Sequence, residues 1–202
     1  MGGGVVSGLI DKAALSVVAA AARDDARPAL AGVLVGNGKA VCADGFRLMA
    51  VDLPGPPDPD RPPVLVPAKA LESAVKGLGL KGDECASVTA DGAGGAVVAA
   101  VRGGGGQMTV PLIDATFPDW ACVVPNEEPV ARFAVSARLL ADLCKALVAF
   151  GADGDCVEVV VRGHDRAVTL RGVRKRDGRE ALAVLMPMTL AGFDGKGGEG
   201  GR

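Results

Sequence analysis

The chain has one histidine, one tryptophan and only 3% aromatic residues among its 202 positions, and these shortages exclude several classes of function. His164 stands alone in a tight turn between two predicted strands, with no second imidazole and no GxSxG or HExxH segment to build a hydrolytic or metal centre. It reads as a solvated turn residue. The five cysteines, Cys42, Cys85, Cys122, Cys144 and Cys156, are scattered without a CxxC pair, which removes a local zinc or redox site and fits reduced thiols. The glycine run Gly103 to Gly106 leads into Gln107-Met108-Thr109 and lacks the lysine of a phosphate loop. The acid pairs Asp24-Asp25 and Glu127-Glu128 read as exposed charge in loops. No apolar run approaches the roughly 20 residues that span a bilayer. The Met1-Gly2-Gly3-Gly4 start also lacks the layout of a signal peptide. The expectation is a cytoplasmic protein with no membrane partner, catalytic residue, cofactor or metal.

What is present describes a globular protein. Hydrophobic residues make up 49% and charged residues 23%, enough apolar matter for one large core or two small ones. The net charge of −2 gives no bulk attraction to nucleic acid, so any DNA contact has to come from local clusters of basic side chains.

Hydrophobic periodicity predicts a helix from Ile10 to Ala22, then strands at Leu30 to Val35, Lys39 to Cys42 and Phe46 to Leu53, with Gly36-Asn37-Gly38 as a hairpin turn. The proline-rich segment Gly55 to Pro63 is a connector. The order then recurs. A strand at Val64 to Val66 precedes a helix opened by Pro67, followed by strands near Cys85 to Ala90, Ala96 to Arg102 and Gln107 to Val110. A third pass has a strand at Arg132 to Val135, Ser136 as N-cap, and a helix from Ala137 to Phe150. Its strands follow at Cys156 to Arg162, Ala167 to Val173 and Glu180 to Met186. The chain thus holds three strand-helix-strand-strand-strand units, at roughly 5–53, 64–112 and 131–190. The fold class is α+β. The expected division is a complete two-unit domain at 1–125, a half domain at 126–192 and a glycine-rich tail at 193–202. The odd third unit has an open sheet edge that it cannot protect alone.

Four segments occur in a telling order: ADGFRL from Ala43 to Leu48, VPAK from Val66 to Lys69, FPDW from Phe117 to Trp120 and VLMPMTL from Val184 to Leu190. Together they make the chain resemble the bacterial DNA polymerase III beta subunit, or sliding clamp, family, as a shortened member. The first two units resemble the family's complete middle domain, and the third resembles the second half of its last domain. The resemblance implies a DNA-clamp fold with sheets outside and helices on the inner face, and a processivity or scaffold role on duplex DNA. It also implies an apolar pocket for the peptides of DNA polymerase and other partner proteins. Carried onto this sequence, the pocket uses Leu30, Gly45, Phe46, Arg47, Leu48, Pro118, Val123, Val184, Met186, Pro187, Met188 and Leu190. Here Ala43, Phe46 and Thr189 replace residues that are polar or basic in the family, which makes the expected pocket greasier.

Helix geometry supplies the expected DNA face. Lys12 and Arg23, Lys69 and Lys76, and Arg138 and Lys145 are each spaced to return to one side of an α-helix. Such edges would touch phosphates without reading bases. Glu72 and Asp142 stand where they would instead form ordinary surface pairs. The basic run Arg171 to Arg179 reads as a solvated turn. The unpaired third unit favours a homo-oligomer, a dimer or tetramer, and four three-unit chains would supply the twelve half domains of a ring. The alternative is a non-encircling peptide-binding module that does not bind DNA.

Overall fold

A computed structural model describes residues 6–23, 26–101, 106–129, 132–163 and 165–188. His164, Leu190, Thr189, Asp24, Asp25, Gly103 to Gly105 and the expected tail lie outside the described residues. The chain divides into two compact units, Met1–Pro125 and Asn126–Arg202.

The first unit opens on β1 (Val6–Ile10) and passes into a 3-10 helix, Ala14–Ala20, entered where the Asp11 carboxylate accepts from the Ala14 N–H at 2.8 Å. The buried residues Ala14, Val17 and Ala20 recur every third position. That spacing matches 3.0 residues per turn, not 3.6. The helix expected over Ile10 to Ala22 is therefore shorter and tighter, and Ile10 ends a strand instead. Leu30, expected to open a strand, lies in a 3-10 turn, Pro28–Ala31, because Pro28 fixes its own φ and starts the turn. β2 (Gly32–Gly36) and β3 (Lys39–Ala43) follow, joined by Asn37 at φ 48° and Gly38 at φ 70°. Two successive positive φ values give the type I′ turn whose twist suits a tight hairpin. β4 (Leu48–Asp52) completes the run, and the prolines after it form no regular element.

The second repeat supplies β5 (Val64–Pro67), α1 (Ala68–Gly77), β6 (Ala86–Ala90), β7 (Gly95–Ala100) and β8 (Gln107–Pro111). The two repeats exchange their first strands. β1 pairs antiparallel with β6, and β5 pairs antiparallel with β2, so the sheets run β1-β6-β7-β8 and β4-β3-β2-β5. Each repeat closes an edge of the other. One core joins Val17 of the 3-10 helix, Leu71 and Val75 of α1, Val33 and Val35 of β2, and Val88 and Val98 of the other sheet.

The second unit carries α2 (Ala137–Phe150), where the Ser136 hydroxyl accepts from the Leu139 N–H at 3.4 Å and caps the helix as expected. β9 (Glu158–Val160), β10 (Val168–Val173) and β11 (Glu180–Leu185) make a three-stranded sheet in the order β11-β10-β9. The strand expected at Arg132 to Val135 is reduced to a single bridge from Ala134 to Met188. Among the described residues, the buried apolar side chains of this unit are Leu147, Ala152, Val168, Leu170 and Leu185, a thin core for a helix on a sheet.

Candidate functional site

The expected pocket residues are carried by both units, and each set has its own setting. In the first unit, side chains alternate across β2 and β3. Val33, Val35, Ala40 and Cys42 enter the main core, while Leu34, Val41 and Ala43 face the other way into a second cluster. That second cluster is built on Leu30, Val41, Leu65 and Phe117, with Leu48, Ile113 and Trp120 packed at its margin. The sole tryptophan is thus an anchor for its loop. Leu30 and Leu48 belong to this apolar floor. Leu30 is buried and offers little surface of its own.

Gly45, Phe46 and Arg47 form the loop between β3 and β4. The Asp44 carboxylate organises it, accepting from the Phe46 N–H at 3.0 Å and the Arg47 N–H at 3.1 Å, and pairing with the Arg47 guanidinium at 2.8 Å. Gly45 holds φ 93°, and a Cβ there would lie 2.7 Å from the Arg27 guanidinium, whose other nitrogen donates to the Asp44 carbonyl at 2.9 Å. A side chain at 45 would be both strained and crowded. Arg47, one of the expected pocket residues, is half engaged by Asp44. Phe46 stands clear of the cluster at 96% exposure, because the turn that Asp44 sets directs it outward.

Pro118 and Val123 are exposed on the segment leading through a 3-10 turn, Trp120–Val123, which Asp119 caps by accepting from the Ala121 N–H at 3.2 Å. Asp119 also accepts from the Cys122 thiol at 3.0 Å and pushes that thiol's pKa up.

The Asp44 carboxyl sits below the ordinary carboxylate range. The Phe46 N–H is the largest cause, and Arg47 adds to it against some desolvation. A depressed folded value means that the loop's stabilisation is present above the unfolded value near 4 and is lost as pH falls through the folded one. The Phe46 and Arg47 amides are therefore expected to lose exchange protection on acidification below about pH 4, read by amide NMR. Protection that persists after Asp44 is titrated would show that the carboxylate does not hold the loop.

In the second unit, Ala181, Ala183 and Leu185 of β11 are at least partly buried, while Leu182 and Val184 alternate with them and are exposed. Met186, which follows the strand at 67% exposure, continues this outward row, and Pro187 leads to Met188 at 48%. Leu182 was not among the expected pocket residues, although its spacing of two from Val184 was the available signal. Three cavities in the described residues, of about 400, 530 and 450 Å³, are lined by other residues.

The basic residues divide more sharply. Lys69 and Lys76 share α1, and Arg138 and Lys145 share α2. Lys76 pairs with Glu72 at 2.7 Å and Lys145 with Asp142 at 3.9 Å, while Lys69 and Arg138 are exposed. Lys12 and Arg23 fall before and after the 3-10 helix, so the α-helical spacing that put them on one face does not apply. The Arg171 to Arg179 run is met by acids within and around it. Arg171 pairs with Glu158 and Glu180, and Arg174 and Arg179 pair with Asp177 at 2.6 and 3.2 Å. Both Arg174 and Arg179 also lie over the Phe150 ring, at 5.1 and 5.9 Å from its centroid. None of the five cysteines is joined in a disulfide, and burial pushes the Cys42 thiol up to about 12. No helix of the described residues is long and apolar enough to cross a membrane, and they contain no group of three metal-ligating side chains.

No family model matches the chain. The DNA polymerase sliding clamp from Pseudomonas aeruginosa superimposes with a TM-score of 0.68 at 22% identity, over 95% of this chain and 54% of that one. This chain has the sliding-clamp fold. The clamp from Bacillus subtilis matches at 0.68 and 16% identity, over 93% of this chain and 50% of that one, and the beta sliding clamp from C. crescentus at 0.69 and 20%, over 93% and 52%. The chain spans about half the length of these clamps and carries the α+β repeat plan read from the sequence.

Proposed function

We propose that this chain is a cytoplasmic, clamp-like processivity or scaffold factor. It contacts duplex DNA without reading its sequence and tethers a polymerase or repair protein through apolar side chains that receive an extended peptide. It performs no reaction of its own. The observation that carries the reading is the exposed row Leu182, Val184, Met186 and Met188 in a chain of sliding-clamp fold. Two flexible thioethers beside aliphatic side chains adapt to the Leu or Phe anchors of different peptides, and Pro187 stiffens the backbone between them. In the first unit, the loop from Gly45 to Leu48, Pro118 and Val123 are also assigned to peptide contact. Lys69 and Arg138 are assigned to phosphates, and the chain works as a homo-oligomer, a dimer or tetramer.

Replacing Met186 and Met188 together by alanine tests the peptide surface. Both side chains are exposed, so the fold is expected to survive. Fluorescence polarisation with a labelled Leu/Phe-anchored peptide is expected to show at least a tenfold loss of affinity, and unchanged capture would overturn the assignment. DNA is tested by retention on a closed circle and loss once the circle is cut. A second reading, a non-encircling peptide-binding module that leaves DNA alone, is favoured by the ion pairs that engage Lys76 and Lys145 and by the net charge of −2. Peptide capture with no salt-dependent DNA affinity would select it.

A further inference from the structure

In the first unit each strand that follows a repeat's helix receives a strand from the other repeat: β2 takes β5, and β6 takes β1. The third repeat follows the same plan as the second. Leu65 and Ala134 each stand three residues before the first residue of their helix, Ala68 and Ala137. Each carbonyl accepts a hydrogen bond from the chain that returns after the repeat's last strand. The Ile113 N–H donates to Leu65 and the Met188 N–H to Ala134, both at 2.8 Å.

Backbone groups of adjacent residues in a strand point to opposite edges. The edge of β5 opposite Ile113 is the one that β2 covers. The corresponding edge of residues 133–135 belongs to Phe133 and Val135, and among the described residues it pairs with no strand. β9, the counterpart of β2, pairs among the described residues with β10 alone.

The helices tell the same story. Leu71 and Val75 of α1 are wholly buried, whereas their counterparts Leu140 and Cys144 of α2 are only partly buried, and Leu139 and Val148 of α2 are 48% and 43% exposed, alongside Phe133 and Val159. The first unit covers α1 partly with the 3-10 helix of the other repeat.

The geometry points to a second copy of this chain as the missing half of the second unit. Phe133 to Val135 of each copy pairs with β9 of the other, and the two α2 helices pack against each other. Each half unit has one strand edge to offer and one to receive, so two copies related by a two-fold axis satisfy both. A lone strand from another protein would cover β9 and leave Phe133 and Val135 bare. Two copies then contain three complete two-repeat domains. Since each chain spans 50–54% of the solved P. aeruginosa and B. subtilis clamps, the pair matches about one clamp chain in content.

This contact deepens the self-association proposed above and rests on it. Sedimentation of the full chain, of Leu139→Glu and of Val135→Pro tests it. The wild type is expected at about 40 kDa, twice the 20.2 kDa chain, or as a pair of such dimers. An unpaired charge at the buried contact is expected to weaken that dimer at least about 100-fold, and the proline removes an N–H from the pairing edge. Position 139 is half exposed, so Leu139→Glu is expected to retain its circular dichroism and decides the matter even where Val135→Pro unfolds. Halving of the assembly mass by Leu139→Glu supports the contact. An oligomer indifferent to Leu139→Glu overturns this contact and leaves self-association standing. A wild type that stays monomeric at about 100 μM, some hundredfold above micromolar affinity, overturns both.

Discussion

Replacing Leu71 by alanine is expected to lower the stability of the first unit by about 2–5 kcal/mol, the range for emptying a leucine site in a packed core. Leu71 is wholly buried where α1 meets both sheets, and its cluster includes residues of both repeats. Collapse around the cavity is restricted, because the sheets on either side are tied together by the exchanged strands β1 and β5. Trp120 packs at the margin of the second cluster in the same unit and reports the loss by fluorescence. With a urea slope of about 2 kcal/mol per molar, the midpoint should fall by roughly 1–2.5 M. A shift below about 0.5 M would show that the two-repeat core relaxes far more easily than its packing indicates.

Replacing Leu170 by alanine is expected to unfold the second unit and spare the first. The same 2–5 kcal/mol is at stake, but the reserve is smaller. Leu170 is one of five buried apolar residues among the described residues of this unit, and a unit of this size holds on the order of 3–9 kcal/mol at typical stability per residue. Limited proteolysis at low micromolar concentration is the measurement. Cleavage should concentrate between 132 and 188, with a resistant fragment corresponding to the first unit. Equal resistance of variant and wild type would mean that Leu147, Val168 and Leu185 suffice without it.

The elements legible in the sequence are those whose signals are local. Ser136 and the leucines behind it specify α2 from Ala137 to Phe150, because a cap and an apolar stripe lie within one run of residues. Asn37-Gly38 likewise specifies its own turn. The 3-10 helix was not legible, because a run of alanine and valine satisfies periods of 3.0 and 3.6 equally until the neighbouring sheets choose the buried face. That choice removed the helical basis for grouping Lys12 with Arg23. The exchange of β1 and β5 was hidden for a similar reason: pairing partners far apart in sequence leave no mark in periodicity. At the candidate site, the motif residues Val184, Met186 and Met188 share an exposed row, while the outward direction of Phe46 was not legible because it depends on how Asp44 turns the loop.

The pairing of Val6 with Thr89 also sets a timetable for biosynthesis. At about 5–20 residues per second on the ribosome, β1 emerges on the order of ten seconds before the strand it must join, and β2 likewise precedes β5. Until then the nascent first repeat carries an unpartnered hydrophobic strand. The first unit should therefore collapse late and as a whole once β6 has cleared the exit tunnel. A ribosome stalled before residue 86 would hold a chain that invites chaperones.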